Sequence, residues 1–342
     1  MRIMVTLKRL NINTLRLKRP AVETFIYIYS GLLAIMTNLL IVILIPLGLL
    51  FTVWSRFVQF RFFARMFGIL KQAFHHDKGH LSSFQALTLS VAGRVGSGNI
   101  GGVALAIALG GPGAVFWFWV VGLVGMATSF FECTLAQLYK QAEPDGSYRG
   151  GPAFYIERGL NNKWLAILFS ILLLVTFGFS FSAVQSFMIA SSMNETFGIS
   201  STVTGIFLVA ILGITVFGGV YRIAEITEFV VPFMAVFYFA MALVVIGLNI
   251  REVPAVLGLI VGKAFRPDAA ISGGLIAVLM AGIKRGLFSN EAGLGSAPNV
   301  AAVAYVPHPV DQGVVQACLY RHYRAVYLYR NYHFVVRCLY AR

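Results

Sequence analysis

The sequence contains few charged residues and few cysteines. Only 12% of its 342 residues are charged, whereas 58% are hydrophobic, and soluble globular domains do not have this composition. Three cysteines, two of them in the last 25 residues, exclude a disulfide framework and a cysteine metal cluster. The scarcity of charge and the long apolar runs predict a membrane protein.

No sequence pattern typical of an enzyme is present. The six histidines lie in a basic connector, beside a turn or in the C-terminal tail, and none has a serine or cysteine placed for nucleophilic chemistry. Metalloprotease and phosphate-loop patterns are absent. A membrane enzyme using Glu132 or Glu291 is disfavoured, because no partner acid, base or metal ligand accompanies either residue. We therefore expect neither an enzyme nor a bound cofactor.

The positive charge is concentrated at the two ends of the chain. Residues 1–22 contain six Lys or Arg and residues 318–342 contain five Arg, and neither segment contains an acid. The rest of the chain is nearly balanced, as is usual for loops beside anionic lipid. We expect membrane lipid as a partner and no nucleic acid.

Long apolar runs predict an all-α polytopic membrane protein. Its predicted spans lie at about 27–53, 83–109, 114–139, 164–191, 202–220, 226–249 and from 271 onward. Lys and Arg are most frequent in the connector before the second span, which places that connector in the cytoplasm. The basic N-terminal arm then lies on the opposite side, and this conflict predicts a start codon further downstream.

Glycines interrupt the second predicted span between Val95 and Pro112. Gly96 and Gly98 are poor helix formers, and Ser97 and Asn99 place polar side chains at membrane depth. Irregular backbone survives there only where it lines a protein-enclosed cavity. Its amides can bind an anion and its carbonyls a cation. The alternative is that the glycines only permit close helix packing.

A second glycine-rich break follows the seventh predicted span, from 286 to 298, and contains Asn290 and Glu291. The two interrupted spans cross the membrane in opposite directions, as expected for an inverted-repeat transporter that binds a small zwitterion. A channel could use the same pattern. Glu291 is predicted to bind an ion, carry a proton or cap a helix.

Other polar residues within the predicted spans have less certain roles. Gln185, Ser180 and Ser182 are predicted to face the bundle interior, where they contact substrate or bond to neighbouring helices. Glu132 is predicted to form structural hydrogen bonds or to take part in transport. Three cations that precede the breaks are predicted to mark a water-filled vestibule: Arg94, Lys284 and Arg285.

Several long motifs resemble those of the alanine/glycine:cation symporters, over about residues 54–317. They are Phe84-Gln-Ala-Leu-Thr-Leu-Ser, Val95-Gly-Ser-Gly-Asn-Ile, Gly110-Gly-Pro-Gly-Ala-Val-Phe-Trp, Gly150-Gly-Pro-Ala-Phe-Tyr-Ile-Glu, Gly286-Leu-Phe-Ser-Asn-Glu-Ala-Gly-Leu-Gly-Ser-Ala-Pro and His308-Pro-Val-Asp-Gln-Gly-Val-Val-Gln. Ser97 stands where the family commonly has Thr. The resemblance implies sodium-coupled uptake of alanine or glycine, a small neutral amino acid, across the inner cell membrane.

The resemblance also implies a fold like that of the leucine transporter, with an extra leading helix and two inverted five-helix repeats. The first broken helix, with Gly96, Ser97, Gly98 and Asn99, and Gln185 from the third core helix would contact substrate. Gly96 and Asn99 would contribute to a sodium site. Asn290 and Glu291 complete the predicted substrate site at the second break.

The predicted segments follow from this likeness. They are a basic arm 1–24, a leading transmembrane helix 25–53, a cytoplasmic basic connector 54–82, a first five-helix repeat 83–249, a surface helix with the start of the second repeat 250–317, and a Tyr/Arg-rich tail 318–342.

The tail departs from the family, whose members continue with further apolar spans. It contains six Tyr, five Arg and no acid, and each Arg costs about 2.5–3.5 kcal/mol at the bilayer centre. We expect a frameshift or truncation near residue 317 that leaves the second repeat incomplete. Because part of the sodium site would then be missing, the 342-residue chain is predicted not to transport.

Overall fold

The apolar runs form helices throughout the described part of the chain. The computed structural model describes residues 19–62, 68–69, 81–144, 146–265 and 274–317. Most of the predicted arm, most of the connector and the Tyr/Arg-rich tail lie outside these ranges. Before the first break, the helices are α1 (Arg19–Trp54), α2 (Val58–Arg61) and α3 (Ser83–Arg94).

The remaining elements follow in chain order. They are α4 (Ser97–Gly110), α5 (Gly113–Leu138), β1 (Gln141–Ala142), β2 (Tyr148–Arg149), α6 (Pro152–Gly159), α7 (Lys163–Leu173), a π-helical segment (Leu174–Phe181), α8 (Ser182–Phe197), α9 (Ser201–Val216), α10 (Gly219–Leu248), α11 (Val253–Phe265), α12 (Gly274–Asn290) and α13 (Ser296–Val303). A further helical segment covers 309–317. Strands β1 and β2 form a short antiparallel hairpin, with Gln141 opposite Arg149.

Among the described residues, four helical runs are long and apolar enough to cross a bilayer: Glu23–Trp54, Gly113–Leu138, Lys163–Phe197 and Gly219–Leu248. The bent pair α3–α4 makes a fifth if it is counted as one span. Each of the seven predicted spans coincides with a helix. Helix α9 has 16 residues and ends before the predicted residue 220, and α12 continues to Asn290, inside the predicted second break.

The chain divides into two compact units, residues 1–44 and residues 45–342. The described part of the first unit is the beginning of α1, where the Thr37 hydroxyl donates to the Leu33 carbonyl at 2.7 Å. This bond satisfies a polar side chain within the helix itself. All the predicted site residues belong to the second unit.

The second unit is built around α5. Helix α12 approaches it closely at glycines 282 and 286. A Cβ atom at Gly282 would overlap the Ala114 carbonyl, and one at Gly286 would lie 3.0 Å from Val121 Cβ. Small residues bring helix backbones together in the absence of a hydrophobic driving force between helices. The stretch Gly282–Gly286 therefore fixes α12 against α5.

Helix α11 was predicted as an amphipathic surface helix, and seven of its 13 residues are exposed while its other face packs against the protein. Ile260 is 1% exposed and belongs to an apolar cluster with Val103, Val115 and Phe118. The Trp117 indole N–H donates to the Ala264 carbonyl at 3.2 Å. One face of α11 thus packs on α5, and the amphipathic pattern reflects a protein interface on that face.

The helical run Lys163–Phe197, unlike the packed face of α11, exposes its apolar side chains. In its most hydrophobic window no residue is buried within the second unit, and large side chains such as Leu172 and Phe179 are more than half exposed. Exposed apolar surface of this extent is typical of a helix that faces lipid or other apolar helices.

Candidate functional site

The first break separates α3 from α4, as the glycine pattern predicted. The axes of the two helices differ by 41°. Gly96 precedes α4 with extended backbone, and no side chain caps the helix start. The Asn99 side-chain amide donates to the Arg94 carbonyl at the end of α3. The break is therefore closed on its α3 side by Asn99, and the residue before α4 is a glycine with no side chain to cap the helix.

Gln185 of α8 lies directly against this break. A Cβ atom at Gly96 would overlap the Gln185 side-chain amide, and one at Gly101 would overlap the terminal methyl of Met188. Because Gly96 and Gly101 have no side chains, two α8 side chains can pack directly on the backbone at these positions. The structure brings Gly96 and Gln185 together as predicted, and Met188 packs against α4.

Two neighbouring serines do not share this position. Ser180 and Ser182 are exposed, and the Ser182 hydroxyl donates to the Phe177 carbonyl at 3.1 Å. The prediction that both face the bundle interior is wrong, because the π-helical turn leaves these two residues on the outer side of the run. The structure does not describe the side-chain positions of residues 97 and 98, so the predictions for Ser97 and Gly98 fall outside what it describes.

The second break lies between α12 and α13. Glu291, Gly293 and Gly295 all have positive φ, at 55°, 85° and 83°, so the chain turns sharply through a left-handed stretch. The Ser296 hydroxyl at the start of α13 lies 2.5 Å from Glu291 Oε2. This bond joins two side chains and does not cap the backbone of α13, so the three roles predicted for Glu291 stay predictions.

Asn290 is fully buried where α12 meets α5. Its side-chain N–H donates to the Val121 carbonyl at 3.1 Å, and the amide sits where a Cβ at Gly125 would be. Asn290 Oδ1 is buried and has no hydrogen-bond partner among the described residues. The nitrogen end of the amide therefore joins α12 to α5, and the oxygen end is a buried acceptor that the described residues leave unsatisfied.

The two broken helices lie side by side and run in opposite directions. A Cβ at Gly110 would lie 2.7 Å from Ala281 Cβ, and one at Gly102 would lie 3.8 Å from Arg285 Cδ. Later residues of α4 therefore meet earlier residues of α12. In addition, the Phe181 and Phe288 rings stack with centroids 5.0 Å apart. This arrangement agrees with the opposite directions predicted for the two spans.

Arg94 is part of the packed interior. Its side chain is only 4% exposed. The guanidinium donates to Ser129 Oγ at 3.1 Å and to the Gln316 carbonyl at 3.4 Å. The prediction that Arg94 marks a water-filled vestibule is therefore wrong, because this cation is enclosed by hydrogen-bond acceptors on α5 and on the segment 309–317.

Glu132 faces the second break from α5. Its carboxylate accepts a hydrogen bond from the Gly293 backbone amide, and Arg94 interacts with it electrostatically. Arg94 also interacts electrostatically with Glu291. The structural hydrogen bond predicted for Glu132 is present, and its partner is the backbone of the break itself.

Sequence reasoning missed the residues that enclose Arg94. Ser129 and Gln316 were not selected, and neither was Ser90, whose hydroxyl donates to Gln316 Oε1 at 2.7 Å. A usable signal did exist, because an arginine at membrane depth needs acceptors from neighbouring helices. The pattern alone could not show which helices supply them.

The end of α13 is held by the residues that follow α5. The Lys140 ammonium donates to the Ala304 carbonyl at 2.8 Å and lies 4.0 Å from the centroid of the Tyr148 ring. Burial lowers the pKa of Lys140 to about 8. Burial is also the main cause that raises the pKa of Tyr155 above its ordinary value, with Glu132 adding to it.

The fold and the two breaks define an α-helical membrane transporter. The profile of the sodium:alanine symporter family matches residues 21–320. The chain belongs to this family, so it is an integral membrane protein of a transporter family and not an enzyme.

Named relatives support this assignment. The chain is 48% identical over 282 residues to the "Probable sodium/glutamine symporter GlnT" of Bacillus subtilis, which covers 82% of this chain and 59% of the relative. It is 50% identical over 278 residues to the "Putative sodium/proton-dependent alanine carrier protein YrbD" of the same organism, covering 81% and 57%.

A third relative is the "Sodium/proton-dependent alanine carrier protein" of Bacillus sp. strain PS3. It is 45% identical over 241 residues, covering 69% of this chain and 53% of the relative. The chain thus spans between half and two thirds of the length of these curated relatives.

Proposed function

We propose that this protein belongs to a sodium-coupled symport system that moves a small neutral amino acid, alanine or glycine, across the inner cell membrane. Family membership and the names of the alanine carriers support the substrate and the coupling ion. The observation that carries the proposal is the packing of the Gln185 amide on Gly96 at the start of α4.

The start of α4 supplies what an amino-acid carboxylate requires. An uncapped helix start presents backbone N–H groups and the positive end of the helix dipole. Gln185 adds side-chain donors and an acceptor at the same place. Alanine and glycine carry a carboxylate, an ammonium and at most one methyl group, so recognition of the carboxylate is central to binding them.

The coupling ion is proposed to bind at the first break through Gly96 and Asn99. Sodium takes oxygen ligands, and broken helices expose carbonyls. The Gly96 carbonyl accepts long bonds from Asn99 N at 3.1 Å and Ile100 N at 3.4 Å. These bonds are weak enough to lengthen when a cation shares the same oxygen.

Asn290 and Glu291 are proposed to complete the substrate site from the second break. The support is the buried Asn290 Oδ1, which has no partner among the described residues and can accept from a substrate ammonium. The antiparallel pairing of α4 and α12 supports the proposed inverted-repeat fold.

Glutamine is a second candidate substrate, because a relative at 48% identity is named for it. Gln185 and Asn290 could bind a side-chain amide as readily as a carboxylate or an ammonium. Proton coupling is an alternative to sodium coupling, since two relatives are named for both ions. A channel is the third alternative, which accumulation against a substrate gradient excludes.

The proposal is tested by uptake of radiolabelled alanine, glycine, D-alanine and glutamine into membrane vesicles. Two proteins are compared: the 342-residue chain, and a frame-restored chain in which the reading frame is shifted after Ala317. Imposed sodium and proton gradients are applied separately. Sodium-driven accumulation of alanine or glycine by either protein supports the symport. Accumulation by the frame-restored chain alone also supports the predicted frameshift.

A lack of sodium-driven uptake of these amino acids by both proteins contradicts the proposed function. Below, "the transport form" means whichever of the two proteins accumulates substrate. The predicted truncation is a separate proposal, and an apolar continuation in another reading frame after Ala317 is its direct support.

A further inference from the structure

We propose that the π-helical segment Leu174–Phe181 is a positioning element of the proposed substrate site. Its wide turns set the rotation of the helical run Lys163–Phe197, so that a single face of this run contacts both breaks. The consequence for transport rests on the proposed function. The rotation itself does not, and it can be measured on the purified chain.

The helical run contacts the second break before the π-helical segment and the first break after it. A Cβ atom at Gly295, in the second break, would overlap the ring of Phe169 from α7. After the segment, the Gln185 amide of α8 packs on Gly96 at the first break. The two breaks belong to helices that lie side by side, so Phe169 and Gln185 have to lie on the same side of the run.

A stripe of less exposed side chains follows the same stretch. From 169 to 185 the partly buried positions recur every four residues, and the positions between them are exposed: they are Phe169, Leu173, Phe177, Phe181 and Gln185. In an α-helix, a residue four positions further along lies about 40° further around the axis. Four such steps would turn the stripe by about 160°, to the side of the run opposite Phe169.

The π-helical segment explains why the stripe stays on one side. In α7 the Ser170 hydroxyl donates to the carbonyl four residues earlier, that of Ala166, at 2.9 Å. At the end of the segment the Ser182 hydroxyl donates to the carbonyl five residues earlier, that of Phe177, at 3.1 Å. A turn closed over five residues holds one residue more than an α-helical turn, which returns about 100° of rotation. This correction brings the stripe back to the side on which it began.

The last residue of the segment shows where the corrected face lies. The Phe181 ring stacks on that of Phe288 in α12, with centroids 5.0 Å apart, and Phe177 stacks on Phe181 from one turn earlier at 4.6 Å. Phe288 lies two residues before Asn290. A rotation of α8 would therefore separate Phe181 from the second break and Gln185 from the first break together.

The rotation is tested by cross-linking in the purified chain. Phe181→Cys and Phe288→Cys are introduced together, after the native cysteines are replaced by alanine, and a short bifunctional thiol reagent is added. We expect a cross-link in this parent pair and its loss when one alanine is inserted after Gly178. It should return when deletion of Leu172, an exposed residue, accompanies the insertion, because the number of residues between Phe169 and Phe181 is then restored.

A cross-link that persists in the insertion variant, or that is absent from the parent pair, would overturn the proposal. If the insertion variant does not fold, the compensated variant decides: a compensated variant that also fails to form the cross-link would overturn it as well.

Deletion of Gly178 separates the rotation from a need for the wide turn itself. Gly178 is exposed, and a Cβ there meets only Leu174 of its own segment, so the deletion removes no contact with another helix. With one residue fewer, the segment can become α-helical while Phe181 and Gln185 keep their side of the run. We expect the cross-link to remain, and its loss would contradict the positioning role.

Insertion of one alanine after Gly198 is the matched control. Gly198 lies in the turn between α8 and α9, and a Cβ there meets nothing within 4 Å. This insertion changes the chain length without changing the rotation between Phe169 and Gln185, so the cross-link should be retained. Its loss would show that any change of length disrupts the bundle, and would also overturn the proposal.

The consequence for transport is tested in the transport form, with equal membrane abundance of each variant. We expect the insertion after Gly178 to lower sodium-driven alanine uptake about a hundredfold, and the deletion of Gly178 and the compensated variant to stay within about threefold of the parent. Uptake unchanged by the insertion would overturn the role in the substrate site. Absence of uptake by the parent contradicts the proposed function instead and leaves the cross-linking result valid.

Discussion

The Gln185 side-chain amide packs on the backbone of Gly96, at the point where α4 begins. This contact joins α8 to the break between α3 and α4. It exists because position 96 has no side chain that would occupy the space of the Gln185 amide. A glycine and a glutamine 89 positions apart in the sequence therefore form one surface.

Gly96→Ala should abolish most substrate uptake by the transport form. The added methyl would overlap the Gln185 amide, and displacing a site by about 1 Å costs up to about a hundredfold in rate. Gly93→Ala is the matched control, since nothing lies within 4 Å of a Cβ at that position. The measurement is the initial rate of sodium-driven alanine uptake in each variant. Equal rates in the two variants would show that the contact is dispensable.

Asn99→Ala and Gln185→Ala should weaken uptake far more than Glu132→Gln does. Asn99 closes the first break through the Arg94 carbonyl, and Gln185 lies at the proposed substrate position. Glu132 is not part of the proposed substrate or cation site, and glutamine keeps the size of its side chain. Uptake is measured in vesicles with equal amounts of each variant. Equal losses in all three variants would indicate general misfolding and contradict the distinct roles.

Gly282→Ala should destabilise the packing of α12 on α5. The added methyl would overlap the Ala114 carbonyl and lie 2.7 Å from Trp117 Cβ. Overpacking of this kind costs about 1–3 kcal/mol, so the melting temperature of the purified chain should fall. Gly205→Ala is the control, because a Cβ there meets nothing within 4 Å and alanine favours helix. A melting temperature equal to the parent in Gly282→Ala would contradict the close approach.

Lys140 should make the stability of the folded chain depend on pH in the alkaline range. Its pKa is lowered from 10.5 to about 8 in the folded chain, so between these values the unfolded chain binds more protons. Stability from this group therefore rises as pH increases from 8 to 10.5. Lys140→Met should flatten that rise in melting temperature. Lys163→Met, at an exposed position, should retain it. If the parent and Lys140→Met show the same change of melting temperature between pH 8 and 10.5, the assigned burial of Lys140 is contradicted.

The sequence predicted the breaks and the helices better than it predicted burial. Glycine, proline and polar residues inside apolar runs identified both breaks, because helix propensity and hydropathy are local properties. The grouping of Gln185 with Gly96 came from the family resemblance. The prediction that Arg94 marks a water-filled vestibule was wrong, because its hydrogen-bond acceptors, Ser129 Oγ and the Gln316 carbonyl, come from distant parts of the chain.

The hydrogen bond made by Asn290 was also not predictable from local sequence properties. Its place at a helix end was predicted, but its bond to the Val121 carbonyl depends on how closely α12 approaches α5. That approach follows from Gly125 and the small residues of α12, which individually resemble any other membrane glycine. Tertiary contacts of this kind cannot be predicted from hydropathy or spacing in one sequence.

The most direct test of the account is alanine accumulation in vesicles with an inward sodium gradient, compared with the same vesicles in which sodium is equal on both sides. The account predicts that the transport form concentrates alanine above the external level only when the gradient is present, and that Gly96→Ala removes this accumulation. Uptake that is independent of sodium, or that never exceeds the external concentration, would contradict the sodium-coupled symport.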